Sequence, residues 1–77
     1  MNLNAMQPSL GGHLPVVVGR KVYGVPRGSR VAHVRKGDKI LAYVLNAGRV
    51  HCLVESGEVT MAPRLQALVK TKVFGLQ

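Results

Sequence analysis

The chain is poor in the residues that crosslink small domains, stack on nucleobases or carry out acid–base chemistry. It has one cysteine, three aromatic residues without tryptophan, and three acidic residues in a length of 77. The single cysteine, Cys52, excludes an internal disulfide and predicts a reducing compartment, which we take to be the cytoplasm. Three rings are too few for rows of stacked bases, so that mode of single-strand binding is not expected.

Long apolar runs are missing as well. The early run at residues 14–18 is short, is interrupted by Pro15 and follows a segment without positively charged side chains, so we expect no signal peptide. No stretch approaches the roughly 18 apolar residues of a membrane span, so we expect no membrane partner. The length predicts one domain, and 47% hydrophobic residues are enough to give it a core.

Positive charge is what the chain has in excess. Seven of its eleven basic residues fall within residues 20–39, where Asp38 is the only acid, and the whole chain carries +8. Charge of this kind bears on association and solubility rather than on fold, and Arg and Lys on loops suit phosphate contacts. The predicted residues for binding nucleic acid or another partner are Arg20, Lys21, Arg27, Arg30, Arg35, Lys36 and Lys39.

Two other interpretations of this basic stretch stay open. It could be a charged rim that keeps a small valine-rich protein soluble, or it could meet an acidic protein surface. Its charges alternate with valines and flank glycine-containing turns, so the sequence predicts folded strand-and-turn surface rather than a disordered tail. Loops at one end of a barrel would gather the seven side chains into a single patch.

Most of the chain has the pattern of β-strands. Residues 1–13 show no periodicity and are predicted to form a flexible N-terminal arm, or an extension upstream of the domain at 14–77. Short strands are predicted at 14–18, 21–25 and 30–35, separated by turn residues. In the third strand, Val31, His33 and Arg35 should share one face, opposite Ala32 and Val34.

A β-hairpin is the strongest local prediction. Strands at 39–45 and 49–55 are separated by Asn46, Ala47 and Gly48, a three-residue loop with glycine in the left-handed position. Both faces of the first strand are apolar, which is expected for a strand at the centre of a small barrel. The pattern therefore indicates a mainly β fold: a small SH3-like or OB-like barrel of five to six short strands.

The C-terminal segment carries two periodicities. Leu65, Leu68 and Val69 have helical spacing, with Pro63 in the first turn and Thr60 as a possible cap. Residues 69–74 alternate as a strand would. We favour one or two helical turns followed by a closing strand, with a single helix to Phe74 as the alternative. An apolar stripe in this segment could also support a homodimer; its residues are Leu65, Leu68, Val69, Val73 and Phe74.

Residues that could carry catalysis or bind a metal are sparse. His51 and Cys52 are adjacent, so on a strand they should point to opposite faces, and no ligand spacing typical of zinc is present. Cys52 shares a face with Val50 and Val54 and is interpreted as a small buried hydrophobe. Glu55 and Glu58 flank a turn and are expected to be solvated. We therefore predict no enzyme activity, no metal and no cofactor.

These features favour a non-enzymatic basic binding protein of gene expression. It would contact nucleic acid, or a nucleoprotein complex, through the surface at residues 20–39. The alternative is a small modulator of the phage type that docks on a host enzyme such as RNA polymerase or a nuclease complex. A structural subunit of a larger particle is a third possibility.

Overall fold

The computed structural model describes Met6 and residues 12–77, and within them the chain forms six strands and one helix. The strands are β1 (Leu14–Val18), β2 (Lys21–Val25), β3 (Arg30–Lys36), β4 (Lys39–Asn46), β5 (Arg49–Val54) and β6 (Gly57–Val59), and the helix is α1 (Pro63–Lys72). The mainly β prediction is confirmed, and the strand boundaries agree with it to within one residue through β5.

The strands form two separate antiparallel sheets. β1 and β2 make a hairpin, and β3 to β6 make a four-stranded meander in chain order. The predicted barrel is not confirmed, because the structure has two sheets rather than a closed one. Alternation along each strand is as predicted: the ladder aligns His33 with Ala42 and Leu53 on one face, and Ala32 with Tyr43 and Cys52 on the other.

The four-stranded sheet is covered on both faces. The β1–β2 hairpin packs on one face, where Val18, Val25, Val44 and Leu53 are fully or almost fully buried. Helix α1 packs on the other face, where Val69 and Phe74 meet Leu45, Val50 and Cys52. The two-sided apolar pattern of β4 therefore corresponds to a central layer between a hairpin and a helix.

The C-terminal segment corrects the predicted closing strand. The helix continues to Lys72, and Val73 N–H still bonds to the Val69 carbonyl. Beyond the helix, Phe74 N–H also bonds to the Val69 carbonyl, Gly75 takes φ +69° and Leu76 N–H bonds to the Lys70 carbonyl, so carbonyls near the end of the helix are satisfied by the residues that follow it. In this arrangement both Val69 and Phe74 are buried against the sheet, although the local alternation favours a strand. The sixth strand is instead β6, a three-residue strand that the sequence pattern did not predict.

The helix N-cap and the β4–β5 loop also differ from the prediction. The helix begins with Pro63 in its first turn, as predicted, but Ala62 is the N-cap and makes no side-chain cap, so Thr60 does not cap it. The β4–β5 loop has two residues, because Asn46 pairs with Arg49. Ala47 and Gly48 both have positive φ, as a type I′ turn requires.

Only part of the predicted N-terminal arm lies within the described residues. Met6 is 3% exposed and packs in the core with Val16, Val18 and Tyr23. At least this side chain belongs to the folded domain. The remainder of the arm, apart from Gly12 and His13, lies outside the described residues, and so the predicted flexibility stays a prediction.

Candidate binding surface at the three-turn end

Three turns meet at one end of the molecule, which we call the three-turn end. They are the β1–β2 turn at Gly19 and Arg20, the β3–β4 turn at Gly37 and Asp38, and the β5–β6 turn at Glu55 and Ser56. The Arg20 N–H donates a hydrogen bond to Glu55 Oε2, which ties the first turn to the third. A groove between the turns is lined by residues from all three.

The hairpin is fastened near the same end by Tyr23. Its hydroxyl donates a hydrogen bond of 2.9 Å to the Val54 carbonyl, which joins the hairpin layer to β5. The Lys21 ammonium lies 5.4 Å from the centroid of the Tyr23 ring. Burial raises the pKa of Tyr23, and the Glu58 carboxylate raises it further. The β1–β2 turn is thus held in place by contacts from both Glu55 and Tyr23.

Five of the seven predicted binding residues belong to this end. They stand on the β1–β2 turn or on the adjoining ends of β2, β3 and β4, namely Arg20, Lys21, Arg35, Lys36 and Lys39. All of them except the half-buried Lys21 are exposed. Asp38 and Glu55 are the acids of this end, so its formal charge is positive.

Arg27 and Arg30 are not gathered with the other five. Arg30 starts β3 and Lys36 ends it, and six residues of strand span about 20 Å. The Arg30 guanidinium lies 5.5 Å from the Phe74 ring centroid, and its Nη2 donates a hydrogen bond to the Phe74 carbonyl. The expected single patch is therefore divided, and Arg30 is engaged in holding the C-terminal segment.

Arg27 lies in the turn that connects β2 to β3. Ser29 braces this turn through its N–H and hydroxyl, which both donate to the Pro26 carbonyl. Asn46 Nδ2 donates to Ser29 Oγ at 3.1 Å, and this bond links the turn to the end of β4. Arg27 itself is exposed, at the far end from the three-turn end.

The groove of the three-turn end is lined by both apolar and polar residues. Its volume is about 530 Å³, within the range of about 300–1,000 Å³ that is usual for ligand sites. Ile40, Leu41 and Val54 supply the apolar surface, and Ile40 is 47% exposed. The remaining lining residues are Gly19, Lys36, Asp38, Lys39, Glu55 and Ser56. Sequence reasoning missed this groove because it forms only when turns distant in sequence meet.

His51 and Cys52 lie on opposite faces of β5, as their adjacency predicted. Cys52 is buried on the helix side, where burial raises its thiol pKa, while the Lys36 ammonium lowers it and the Glu58 carboxylate raises it. Burial likewise raises the pKa of Tyr43, its cross-strand neighbour, with a further contribution from Cys52. A thiol with a raised pKa lacks the activation that a nucleophile needs.

The histidines are tied into separate contacts. His51 is 4% exposed, and its Nδ1 lies 2.9 Å from Glu58 Oε2. Its Nε2 has no hydrogen-bond partner among the described residues. His33 Nε2 donates to the Val17 carbonyl at 3.0 Å. Within residues 12–77 and Met6, no group of three His, Cys, Asp or Glu side chains is arranged to hold a metal ion.

The structure also locates Glu55, Glu58 and the apolar stripe predicted in the C-terminal segment. Glu55 bonds to the β1–β2 turn and Glu58 to His51, so the two carboxylates serve different partners. Of the predicted stripe, Val69 and Phe74 are buried in the core, whereas Leu65 and Leu68 are 44% and 52% exposed. No helix in the described part of the chain is both long and apolar enough to cross a membrane.

No protein-family model, curated protein or solved structure matches this chain.

Proposed function

We propose that the chain is a non-enzymatic basic binding protein of gene expression that contacts a nucleic acid, or a nucleoprotein complex, through the three-turn end. One observation carries the proposal: Arg20, Lys21, Arg35, Lys36 and Lys39 come from separate turns and strand ends and stand together at one end of the fold. Long cationic side chains on fixed turns suit phosphates at several positions. The anchored β1–β2 turn reduces the ordering that binding would otherwise require.

A salt titration with matched variants tests this proposal. Affinity for mixed-sequence DNA and RNA should fall steeply with salt, with a log–log slope of about −0.7 to −0.9 for each phosphate neutralised. The double variant Lys36→Gln/Lys39→Gln should bind more weakly and with a shallower slope. The control, Arg27→Gln/Arg49→Gln, removes the same charge from exposed residues at the far end. Equal losses in the two variants would contradict a defined site and favour a solubilising rim.

Exposed leucines favour a second candidate function. Leu65 and Leu68 on α1 present apolar side chains to solvent and suit a protein partner, which could be a second copy of the chain. The protein would then be a small modulator of the phage type that docks on a host enzyme such as RNA polymerase or a nuclease complex. A pull-down from bacterial lysate after nuclease treatment separates the candidates. One stoichiometric protein partner, lost in Leu65→Ser/Leu68→Ser and retained in Lys36→Gln/Lys39→Gln, would replace the first proposal by the second.

A further inference from the structure

The groove of the three-turn end combines three kinds of surface. Ile40, Leu41 and Val54 contribute apolar lining, while Lys36 and Lys39 contribute exposed cations. Asp38, Glu55 and the Ser56 hydroxyl add hydrogen-bonding groups to the same lining. Asp38 forms no ion pair within the part of the chain that the structure describes. A ligand that satisfies the whole groove must offer an apolar face, an anion and hydrogen-bond donors together.

This combination discriminates between the anionic partners that the charge alone would admit. An acidic peptide would bring carboxylates towards Lys36 and Lys39 but also towards Asp38 and Glu55, where like charges repel. A nucleotide carries the anion and the hydrogen-bond donor on different parts of the molecule. Its phosphates are anionic, and a base such as cytosine has an amino group that can donate a hydrogen bond to Asp or Glu. The flat faces of a base also suit an apolar lining. A base paired inside a duplex could not enter the groove.

We infer that the groove seats one unstacked nucleobase of a single-stranded nucleic acid, with the flanking phosphates on Lys36 and Lys39. This inference rests on the proposed function and adds the class of nucleic acid to it. It is compatible with the shortage of aromatic residues, because a single seated base needs no row of rings. Asp38 and Glu55 accept hydrogen bonds from the base edge.

Oligonucleotides with and without bases test the inference directly. The full chain is titrated with a fluorescent oligodeoxycytidine, with the same oligonucleotide in which the central nucleotides are abasic, and with the matching duplex. The abasic strand keeps the phosphates and loses the base. We expect it to bind about fivefold to tenfold more weakly, the lower part of the range for a base stacked on an aromatic ring, because the apolar residues of the groove lining are aliphatic. The duplex should lack this base-dependent contribution.

The alternative results have different meanings. Equal affinity for the cytidine and abasic strands, with a steep salt dependence, would overturn the base seat and leave the proposed phosphate contacts intact. Failure to bind any oligonucleotide at low salt would overturn both. Tighter binding of polyglutamate than of the cytidine strand would also overturn both and would favour an acidic protein surface.

A pair of exposed apolar residues supplies the matched variants. Ile40→Ala removes part of the groove wall at a side chain that is 47% exposed, and Val17→Ala removes the same kind of surface from the outer face of the hairpin, where Val17 is 56% exposed. The gap between cytidine and abasic strands should shrink in Ile40→Ala and persist in Val17→Ala. Thermal unfolding of both variants verifies that the fold is retained. If the difference in affinity between the cytidine and abasic strands is unchanged in Ile40→Ala, the base does not bind in the groove.

Discussion

Basic residues at the two ends of this small domain have different roles. At the three-turn end, Lys36 and Lys39 are exposed beside a groove, and the local carboxylate Glu55 bonds to backbone instead of neutralising them. At the far end, Arg30 lies against the Phe74 ring and bonds to its carbonyl. Basic residues that are close in sequence therefore have different roles. Some belong to a candidate binding surface, whereas Arg30 contacts the C-terminal segment and supports the fold. Counting charges along the chain does not separate these roles.

The largest expected effect comes from the β1–β2 turn. Gly19 has φ +62°, and a Cβ built there would meet the flexible Glu55 carboxylate, so Gly19→Ala adds to the backbone strain a conflict that Glu55 relieves by giving up its bond to the Arg20 N–H. We expect it to lower the free energy of unfolding by about 2 kcal/mol, since left-handed backbone alone costs about 1–2 kcal/mol for a non-glycine residue. Denaturant unfolding measures the change.

Gly37→Ala is the matched control for this turn. Gly37 has φ +66° at the same end, but its Cβ would meet nothing within 4 Å. Gly37→Ala should therefore show the cost of the left-handed backbone without a steric conflict with a neighbouring side chain. If both alanine variants are equally destabilised, the contact of Glu55 with the β1–β2 turn contributes nothing to stability.

The hydroxyl of Tyr23 is the second fastening at the three-turn end. Tyr23→Phe keeps the ring and removes the hydrogen bond to the Val54 carbonyl, and we expect a loss of about 1 kcal/mol. The pKa of Tyr23 is raised on folding, so the stability it provides is complete below the ordinary tyrosine pKa and is lost as pH rises through the folded pKa. Denaturant unfolding at increasing alkaline pH measures this.

The pH dependence also separates Tyr23 from its neighbours. Cys52 and Tyr43 have raised pKa values as well, so the wild type should lose stability at alkaline pH through all three groups. Tyr23→Phe should lose less than the wild type over the same range. Identical alkaline profiles for the two proteins would show that ionisation of Tyr23 is not coupled to unfolding.

Local patterns in the sequence were sufficient for the strands but not for their arrangement. Alternation assigned the faces of β3, β4 and β5 correctly, because a period of two is a property of each strand alone. The two sheets and the helical end of the chain depended on what covers β4, and Val69 could have packed from a strand or from a helix. The positions of Arg30 on Phe74 and of Glu55 on the β1–β2 turn depend on contacts 44 and 35 residues apart.

The next prediction concerns the far end, where the two arginines should differ. Arg30→Ala removes a cation–π contact and a hydrogen bond to the Phe74 carbonyl, and we expect a loss of about 1 kcal/mol in stability. Arg27→Ala should change stability by less than about 0.5 kcal/mol, as surface substitutions usually do. Thermal unfolding compares the two, and salt-dependent binding should change little in either.

The different environments of the two arginines change how the binding of an arginine-to-alanine variant can be interpreted. Arg27, Arg30 and Arg35 are three of the binding residues predicted from the sequence, and replacing all three with alanine is a direct test of that prediction. Loss of binding in a triple variant would now be ambiguous, because Arg30 supports the C-terminal segment. A large loss of nucleic-acid affinity in Arg27→Ala alone would show that the far end, and not the three-turn end, meets the partner.

The smallest expected effect is a gain at the β4–β5 turn. Ala47 has φ +51°, a left-handed conformation that costs energy for alanine and that asparagine tolerates better. Asn-Gly is the preferred pair in a type I′ turn, so Ala47→Asn should raise the free energy of unfolding by about 0.5 kcal/mol. Because the turn is remote from the groove, nucleic-acid affinity should stay the same. A variant that is less stable than the wild type would contradict the left-handed turn and, with it, the two-residue register between Asn46 and Arg49.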